Sequence, residues 1–500
     1  MLELLIGSNA VSILLGFIVF AIVYLYCDRN RKQRHLPPGP FPLPLLGTTY
    51  KHGATPEDFL SLGNQYGDIC TAYLGPEQVV VLNNYPAIHD ALVEQSDVFV
   101  NRGYDDKYCR TLVNPDRHGI LMRDYDDMLH ESRKTFMASI RELGVGRSTM
   151  EVKIMKEVNK LVSVMKKQNG EPVNYRYNIA TATANVIMDI MLNVNYDHGD
   201  KDLADVIRNA DNLMGSGKHV QLIDNIPILR FISPFKQSMM RFVDGSKALA
   251  DLLWDRALTM QKEHKPGQEV DCFVDKYLEE YFVKDDEPQM KDQDQFRFVL
   301  RDLLLGGFET TNTSLKWTIL FMANRPDKQR KLHEELDRVI GRNRRDITMS
   351  DRINLPYLRA VISEMQRLAS VIPYFTHQSA KESTIFGFDI PKDTYAFINF
   401  YSIHMNEITW GDPRVFRPER FIGSKGQYEK HPQLVPYAMG KRVCPGQLLA
   451  KQELFLFVGK LFQEFEFRPP VEGEKLSEEA VIGFTRSSAA YKIRAVPRKD

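Results

Sequence analysis

The sequence predicts a mainly α-helical body with small β-sheets, preceded by one transmembrane helix. Three observations carry that expectation. No charged residue occurs among the 24 residues from Leu4 to Cys27. Long stretches of the middle carry apolar residues at helical spacing, whereas extended apolar runs are short and few. Pro326, Gly341 and Pro356 stand at the boundaries of helical runs.

The elements follow in chain order. As a helix, the uncharged run rises roughly 36 Å, enough to cross a hydrocarbon core of about 30 Å. It ends in Tyr-Leu-Tyr-Cys-Asp and a basic cluster, Arg29, Arg31, Lys32 and Arg34. A cleaved signal peptide requires a shorter apolar stretch and a small-residue cleavage site. Residues 1–28 are therefore read as a retained anchor. The basic cluster places everything after it in the cytosol. Residues 29–48 form a hinge, because the five prolines of Leu36-Pro37-Pro38-Gly39-Pro40-Phe41-Pro42-Leu43-Pro44 exclude a regular helix and favour a stiff, extended connector. Residues 49–500 form the body.

Within the body, Ile69 to Tyr73 and Gln78 to Leu82 read as early strands. Lys153 to Lys167 and Phe242 to Lys262 read as helices, and Asp294 to Asn324 as the longest one. Pro326 opens a further helix to Ile340, and Pro356 another to Ala369. Extended runs return at Thr384 to Ile390 and Ala396 to Phe400. A last helix follows Pro445-Gly446 and ends near Phe465. No internal repeat or domain boundary interrupts this order.

Composition narrows the function. Lys plus Arg and Asp plus Glu balance at 65 each, so nothing global favours nucleic acid as a partner. Five cysteines without a CxxC pair argue against a disulfide framework and a structural zinc site.

One cysteine differs from the rest. Cys444 lies in Pro436-Tyr437-Ala438-Met439-Gly440-Lys441-Arg442-Val443-Cys444-Pro445-Gly446, with a glycine on each side and a helix just beyond. Backbone N–H groups of such a loop and helix start stabilise a thiolate. The segment resembles the haem-binding loop of the cytochrome P450 family. Gly440, Arg442, Cys444 and Gly446 match its pattern, and Tyr437 stands where the family usually has Phe. The added hydroxyl needs a partner.

Other matches occur in the family's order. Glu364 and Arg367 fit its Glu-x-x-Arg pattern on one helix face, and Arg420 falls in Phe416-Arg417-Pro418-Glu419-Arg420-Phe421. The resemblance implies a buried structural network of these three that holds the cysteine loop. The long helix carries Gly306-Gly307-Phe308-Glu309-Thr310-Thr311. Two mid-helix glycines cost stability, which suggests close approach by something. In the family this segment crosses the distal haem face, and Glu309 with Thr310 would help deliver protons. Arg133 and His377 match positions that hold haem propionates, while Leu129 occupies a slot where the family has tryptophan.

The resemblance runs over nearly the whole chain and is nearest to the animal microsomal branch that acts on drugs and steroids. It implies one large cytochrome P450-type domain, haem b bound through Cys444, and monooxygenation of an apolar small molecule (a steroid, a fatty acid or a xenobiotic). It also implies residence in the endoplasmic reticulum membrane, with the bilayer as a partner of the anchor. Electrons would come from NADPH through a membrane-bound reductase, because the chain has no Gly-rich dinucleotide fingerprint of its own. Arg133, Lys134 and Lys441 are basic candidates for docking that reductase. By analogy, Leu304, Phe308, Val371 and Phe484 are candidates to line the substrate pocket. Two other readings stay open: a haem-thiolate isomerase or dehydratase needing no reductase, and a haem-binding sensor without turnover.

Overall fold

The computed structural model describes residues 35–43, 46–48, 54–103, 108–265, 269–282, 293–341 and 345–498, with five positions between 13 and 20. The expected anchor lies, apart from those five positions, outside the described residues. Among the described residues no helix is long and apolar enough to cross a membrane.

The proline-rich hinge docks on the body. Thr71 donates its backbone N–H to the Pro38 carbonyl at 2.8 Å and its hydroxyl to the Pro37 carbonyl at 2.6 Å. At Gly39 a Cβ would lie 2.0 Å from the Thr71 carbonyl oxygen, so the close approach requires glycine.

Helix α1 (Pro56–Tyr66) starts with a capping box between Thr55 and Asp58. Strands β1 (Ile69–Leu74) and β2 (Glu77–Leu82) pair antiparallel. There follow α2 (Asp127–Glu142), α3 (Ser148–Lys166), α4 (Arg176–Leu192), α5 (Lys201–Gly215) and α6 (Phe235–Glu263). Next come α7 (Gln293–Ala323), α8 (Pro326–Val339) and α9 (Pro356–Ala369). Strands β3 (Tyr374–Gln378) and β4 (Tyr395–Asn399) complete a four-stranded sheet of order β1-β2-β4-β3, in which β2 and β4 run parallel. Helix α10 (Gln447–Glu464) follows the cysteine loop, and the short hairpin β5 (Ala480–Ile482) and β6 (Arg486–Ser488) lies near the C-terminus.

Helix α7 is the axis of the molecule. Its 31 residues rise about 46 Å. It packs against α4, α6, α9 and α10. Both α4 and α7 are buried nearly all round, which their apolar residues on every face permit. The helical body and the sheet pack separate apolar clusters.

Most expected elements appear within a few residues of their expected ends. The run from Thr384 to Ile390 differs. It is a hairpin, Ser383–Ile385 paired with Phe388–Ile390, turned at Phe386 and Gly387 with φ of 49° and 86°. Two successive positive φ values make a tight turn that the Gly signals and the Phe conceals.

Candidate functional site

The cysteine loop is shaped by backbone. Ala438 and Gly440 take positive φ, and the Gly440 position is so close to Leu92 that a Cβ would sit 1.8 Å from its carbonyl oxygen. Cys444 donates its N–H to the Tyr437 carbonyl at 3.0 Å, just before α10 begins. The Gly446 N–H bonds the Cys444 sulfur and Arg133 attracts it, although burial outweighs both and raises the thiol. A bound cation reverses that balance, because a ligating thiol loses its proton. Gly446 itself borders open space, with nothing within 4 Å of an added Cβ.

Beside this loop the fold collects positive charge. Arg133 donates to the Val443 carbonyl at 2.6 Å. Arg442 donates to the Arg123 carbonyl at 2.8 Å and reaches the Leu121 carbonyl at 3.5 Å. Arg102 shares that same Leu121 carbonyl at 3.2 Å and lies 2.9 Å from His377 Nε2. All four side chains are buried. Burial, followed by the charges of Arg102 and Arg442, holds His377 well below its usual value and therefore neutral. Sequence reasoning missed Arg102. Its only signal is an arginine in a polar loop, indistinguishable there from a solvated one.

Helix α7 is open at one point. Gly306 is exposed in an otherwise buried stretch, and nothing lies within 4 Å of an added Cβ. Thr310, one turn on, is partly exposed and returns its hydroxyl to the Gly306 carbonyl at 2.7 Å. Glu309 does not share this opening. Adjacent helix residues point about 100° apart, and Glu309 is buried on another side. Its carboxylate accepts from Thr313 at 3.0 Å, Asn312 at 3.3 Å and Thr485 at 3.4 Å. The acid and the alcohol are sequence neighbours with separate surroundings.

Glu364, Arg367 and Arg420 meet. Arg367 grips Glu364 through two parallel hydrogen bonds of 2.8 Å, both side chains fully buried, and Arg420 adds a third at 3.1 Å. The Arg417 N–H adds a fourth at 2.7 Å. Two residues tie this group to the cysteine loop. Gln366 donates to the Tyr437 hydroxyl at 2.8 Å. His404, whose carbonyl accepts from Arg367, takes the Val435 N–H at 3.2 Å. Neither carried a signal in the sequence, since each is recognisable only from its partner.

The remaining candidates are placed as follows. Leu304, Phe308 and Leu129 are fully buried in the helical core. Val371 and Phe484 are partly buried against it, with the Phe484 ring 5.9 Å from that of Phe242. Of the basic candidates, Lys134 is exposed and Lys441 pairs with Asp97 at the surface. Arg133 is buried against Val443, so its charge does not reach the surface that a docking partner would touch.

These residues fit a flat, acidic, iron-bearing group. A buried thiol, with the Gly446 N–H and Arg133 beside it, stands where a metal would take its proton, an inward-facing set of guanidinium groups suits carboxylate arms, and the glycine openings at Gly446 and Gly306 leave room. Cys444 would ligate the iron of haem, with Arg102, Arg133, Arg442 and His377 toward its propionates.

Comparison with known proteins agrees. The family described as Cytochrome P450 matches residues 37–495. Cytochrome P450 2J5 of Mus musculus is 31% identical over 483 residues, 94% of this chain and 93% of the relative. Cytochrome P450 2D28 of Mesocricetus auratus is 29% identical over 99% of this chain and 100% of its own length. Cytochrome P450 2E1 of Sus scrofa is 30% identical over 93% and 94%. With a family match over residues 37–495 and relatives matched along nearly their whole length, the chain belongs to the cytochrome P450 family and is a haem-thiolate monooxygenase acting on small molecules.

Proposed function

We propose that this monooxygenase hydroxylates an apolar substrate of the steroid, fatty acid or xenobiotic class, with electrons drawn from NADPH through a membrane-bound reductase. The observation that carries the reading is the opening at Gly306 and Thr310, a hydroxyl beside free space on a helix packed against the one that follows Cys444. Haem, when bound, supplies oxygen activation, and thiolate ligation favours O–O cleavage. The chain's own residues do the rest. Cys444 is the ligand and Arg102, Arg133, Arg442 and His377 orient the cofactor. Thr310 holds and passes a proton at its Oγ1, with Glu309 as the acid that replenishes it. Leu304, Phe308, Val371 and Phe484 supply apolar surface toward the substrate.

The same reading places the protein in the endoplasmic reticulum membrane through the anchor of residues 1–28. A second bilayer contact is supported by Ile228 and Phe231, exposed at 64% and 68% within the short helical turn Pro227–Phe231.

The test uses the full haem protein with reductase, NADPH and representatives of the three substrate classes. Substrate-dependent NADPH oxidation with a hydroxylated product is expected for at least one class, and its absence for all three overturns the substrate and electron-source reading. Thr310→Ala should keep its haem while yielding less product and more hydrogen peroxide per NADPH. A variant as tightly coupled as the parent removes Thr310 from the mechanism.

A further inference from the structure

Beyond Glu309, helix α7 carries one more charged residue, Lys316, on a side away from Gly306 and Thr310. Lys316 is buried, two turns beyond Glu309, so the two fall on one helix face. The last hairpin reads both of them. Thr485 Oγ1 donates to Glu309 at 3.4 Å, and Lys316 Nζ donates to Ser487 Oγ at 3.3 Å. Thr485 and Ser487 are two residues apart, about 7 Å in an extended chain. Both charges are thereby held against the same hairpin.

Both charges line one cavity of about 190 Å³, walled by α7, by the hairpin, by the start of α4 and by the end of α5. That volume holds several waters. Its walls also present two buried hydroxyls, Tyr175 Oη and Ser488 Oγ, which have no hydrogen-bond partner among the described residues. Buried hydroxyls of this kind are ordinarily satisfied by water. Arg176 and Asp211 also line the cavity, paired at 2.8 Å with both side chains partly exposed.

We propose that Lys316 is a positioning residue for Glu309: its ammonium, held by the same hairpin on the same cavity, keeps the carboxylate turned toward this cavity, and water in the cavity carries protons from solvent to Glu309. The proposal rests on the reading in which Glu309 and Thr310 supply protons. The ammonium depends on the carboxylate. Burial lowers the basicity of Lys316 and the carboxylate of Glu309 raises it again, while Arg176 and Asp211 act in opposite directions. The other charged groups nearby are turned elsewhere. Arg486 on the hairpin pairs with Glu57 and the carbonyls of Leu368 and Ala369, and Glu453 on α10 bonds Thr311. The Tyr491 hydroxyl donates to the Lys316 carbonyl at 2.6 Å and fixes the backbone there.

The experiment compares the full-length haem protein with Lys316→Met, Lys316→Arg and Glu309→Gln. The Glu309 carboxyl is titrated by infrared difference spectroscopy, with Glu309→Gln as the blank. Product per NADPH is followed across the same pH range. Lys316→Met removes the counter-charge from a buried carboxylate, so its protonation should move up by about one pH unit or more. The coupling profile should move with it, and Lys316→Arg should keep the parent's. Should Lys316→Met lose haem, Lys316→Gln keeps the Ser487 hydrogen bond and carries the same expectation. An unshifted carboxyl titration overturns the proposal, as does a uniform loss of coupling at every pH. If Glu309→Gln leaves coupling unchanged, the proton-supply reading fails instead, and the infrared titration still decides the Lys316 pairing.

Discussion

Glu364→Gln should remove a large share of the molecule's stability while changing one atom. The parent carboxylate is fully buried and satisfies four donors. Its Oε1 accepts from Arg417 N at 2.7 Å, Arg367 Nη2 at 2.8 Å and Arg420 Nε at 3.1 Å, and its Oε2 accepts from Arg367 Nε at 2.8 Å. An amide has one oxygen. Placed at Oε1 it keeps the crowded side, and its NH₂ then faces the Arg367 Nε–H, donor against donor. One buried N–H loses its acceptor, at about 1–3 kcal/mol. Two guanidinium groups also lose their counter-charge, and breaking a buried pair costs about 3–5 kcal/mol. The two figures overlap, so a net loss of about 4 kcal/mol is the expectation, against a total stability of order 5–15 kcal/mol. The assay is denaturant unfolding followed by haem absorbance and far-ultraviolet circular dichroism at matched haem loading. A loss below about 1 kcal/mol would refute the reasoning, because it would mean that the pair is not electrostatically coupled.

Three further outcomes are expected. Cys444→Ser should lose the thiolate-type absorbance of the reduced carbon monoxide complex, while Ser at Cys70, Cys109 or Cys272, whose thiols burial pushes up, should leave it intact. Leu129→Trp should lower the melting temperature, since the site is fully buried and overpacking costs about 1–3 kcal/mol; an unchanged melting temperature would place the ring in open space instead. Glu453 is raised to about 8, chiefly by burial. An acid whose folded value is raised costs nothing below its unfolded value near 4.5, and its cost grows as pH rises toward 8. Stability should therefore fall over that window, by an order of a few kcal/mol. Glu453→Gln should flatten the fall, and an equal slope in unfolding free energy between pH 5 and 8 would count against the assignment.

The helices and the cysteine loop were legible because their signals are local. Pro326 and Pro356 mark the starts of α8 and α9 at the residues where the structure begins them. Cys444 stood out by the glycines and the arginine around it. What the sequence concealed is relational. Arg102 looks like any loop arginine until the fold brings it to the Leu121 carbonyl beside Arg442. Glu309 and Thr310 read as one pair because they adjoin in the chain, yet helix geometry gives them separate surroundings. The Lys316 cavity was illegible for the same reason, since its walls come from residues more than 300 positions apart.

The substitution of Tyr437 for the family's usual Phe shows how such relations make a departure tolerable. A hydroxyl added beside a thiolate loop would cost about 1–3 kcal/mol if it were left without a partner. Gln366 provides one, and it lies between Glu364 and Arg367 on the same two turns of α9. Helix α9 therefore anchors the loop twice. One anchor is the Glu364 ion network, which through Arg367 fixes the His404 segment that receives Val435. The other is the direct Gln366 bond to Tyr437, whose carbonyl accepts the Cys444 N–H. The hydroxyl that looked like a defect becomes a second strut, set two bonds from the ligand's own backbone. In a chain with Phe at this position only the ion network of these two α9 anchors would remain, beside the contacts that Arg133 and Arg442 make from the other side of the loop.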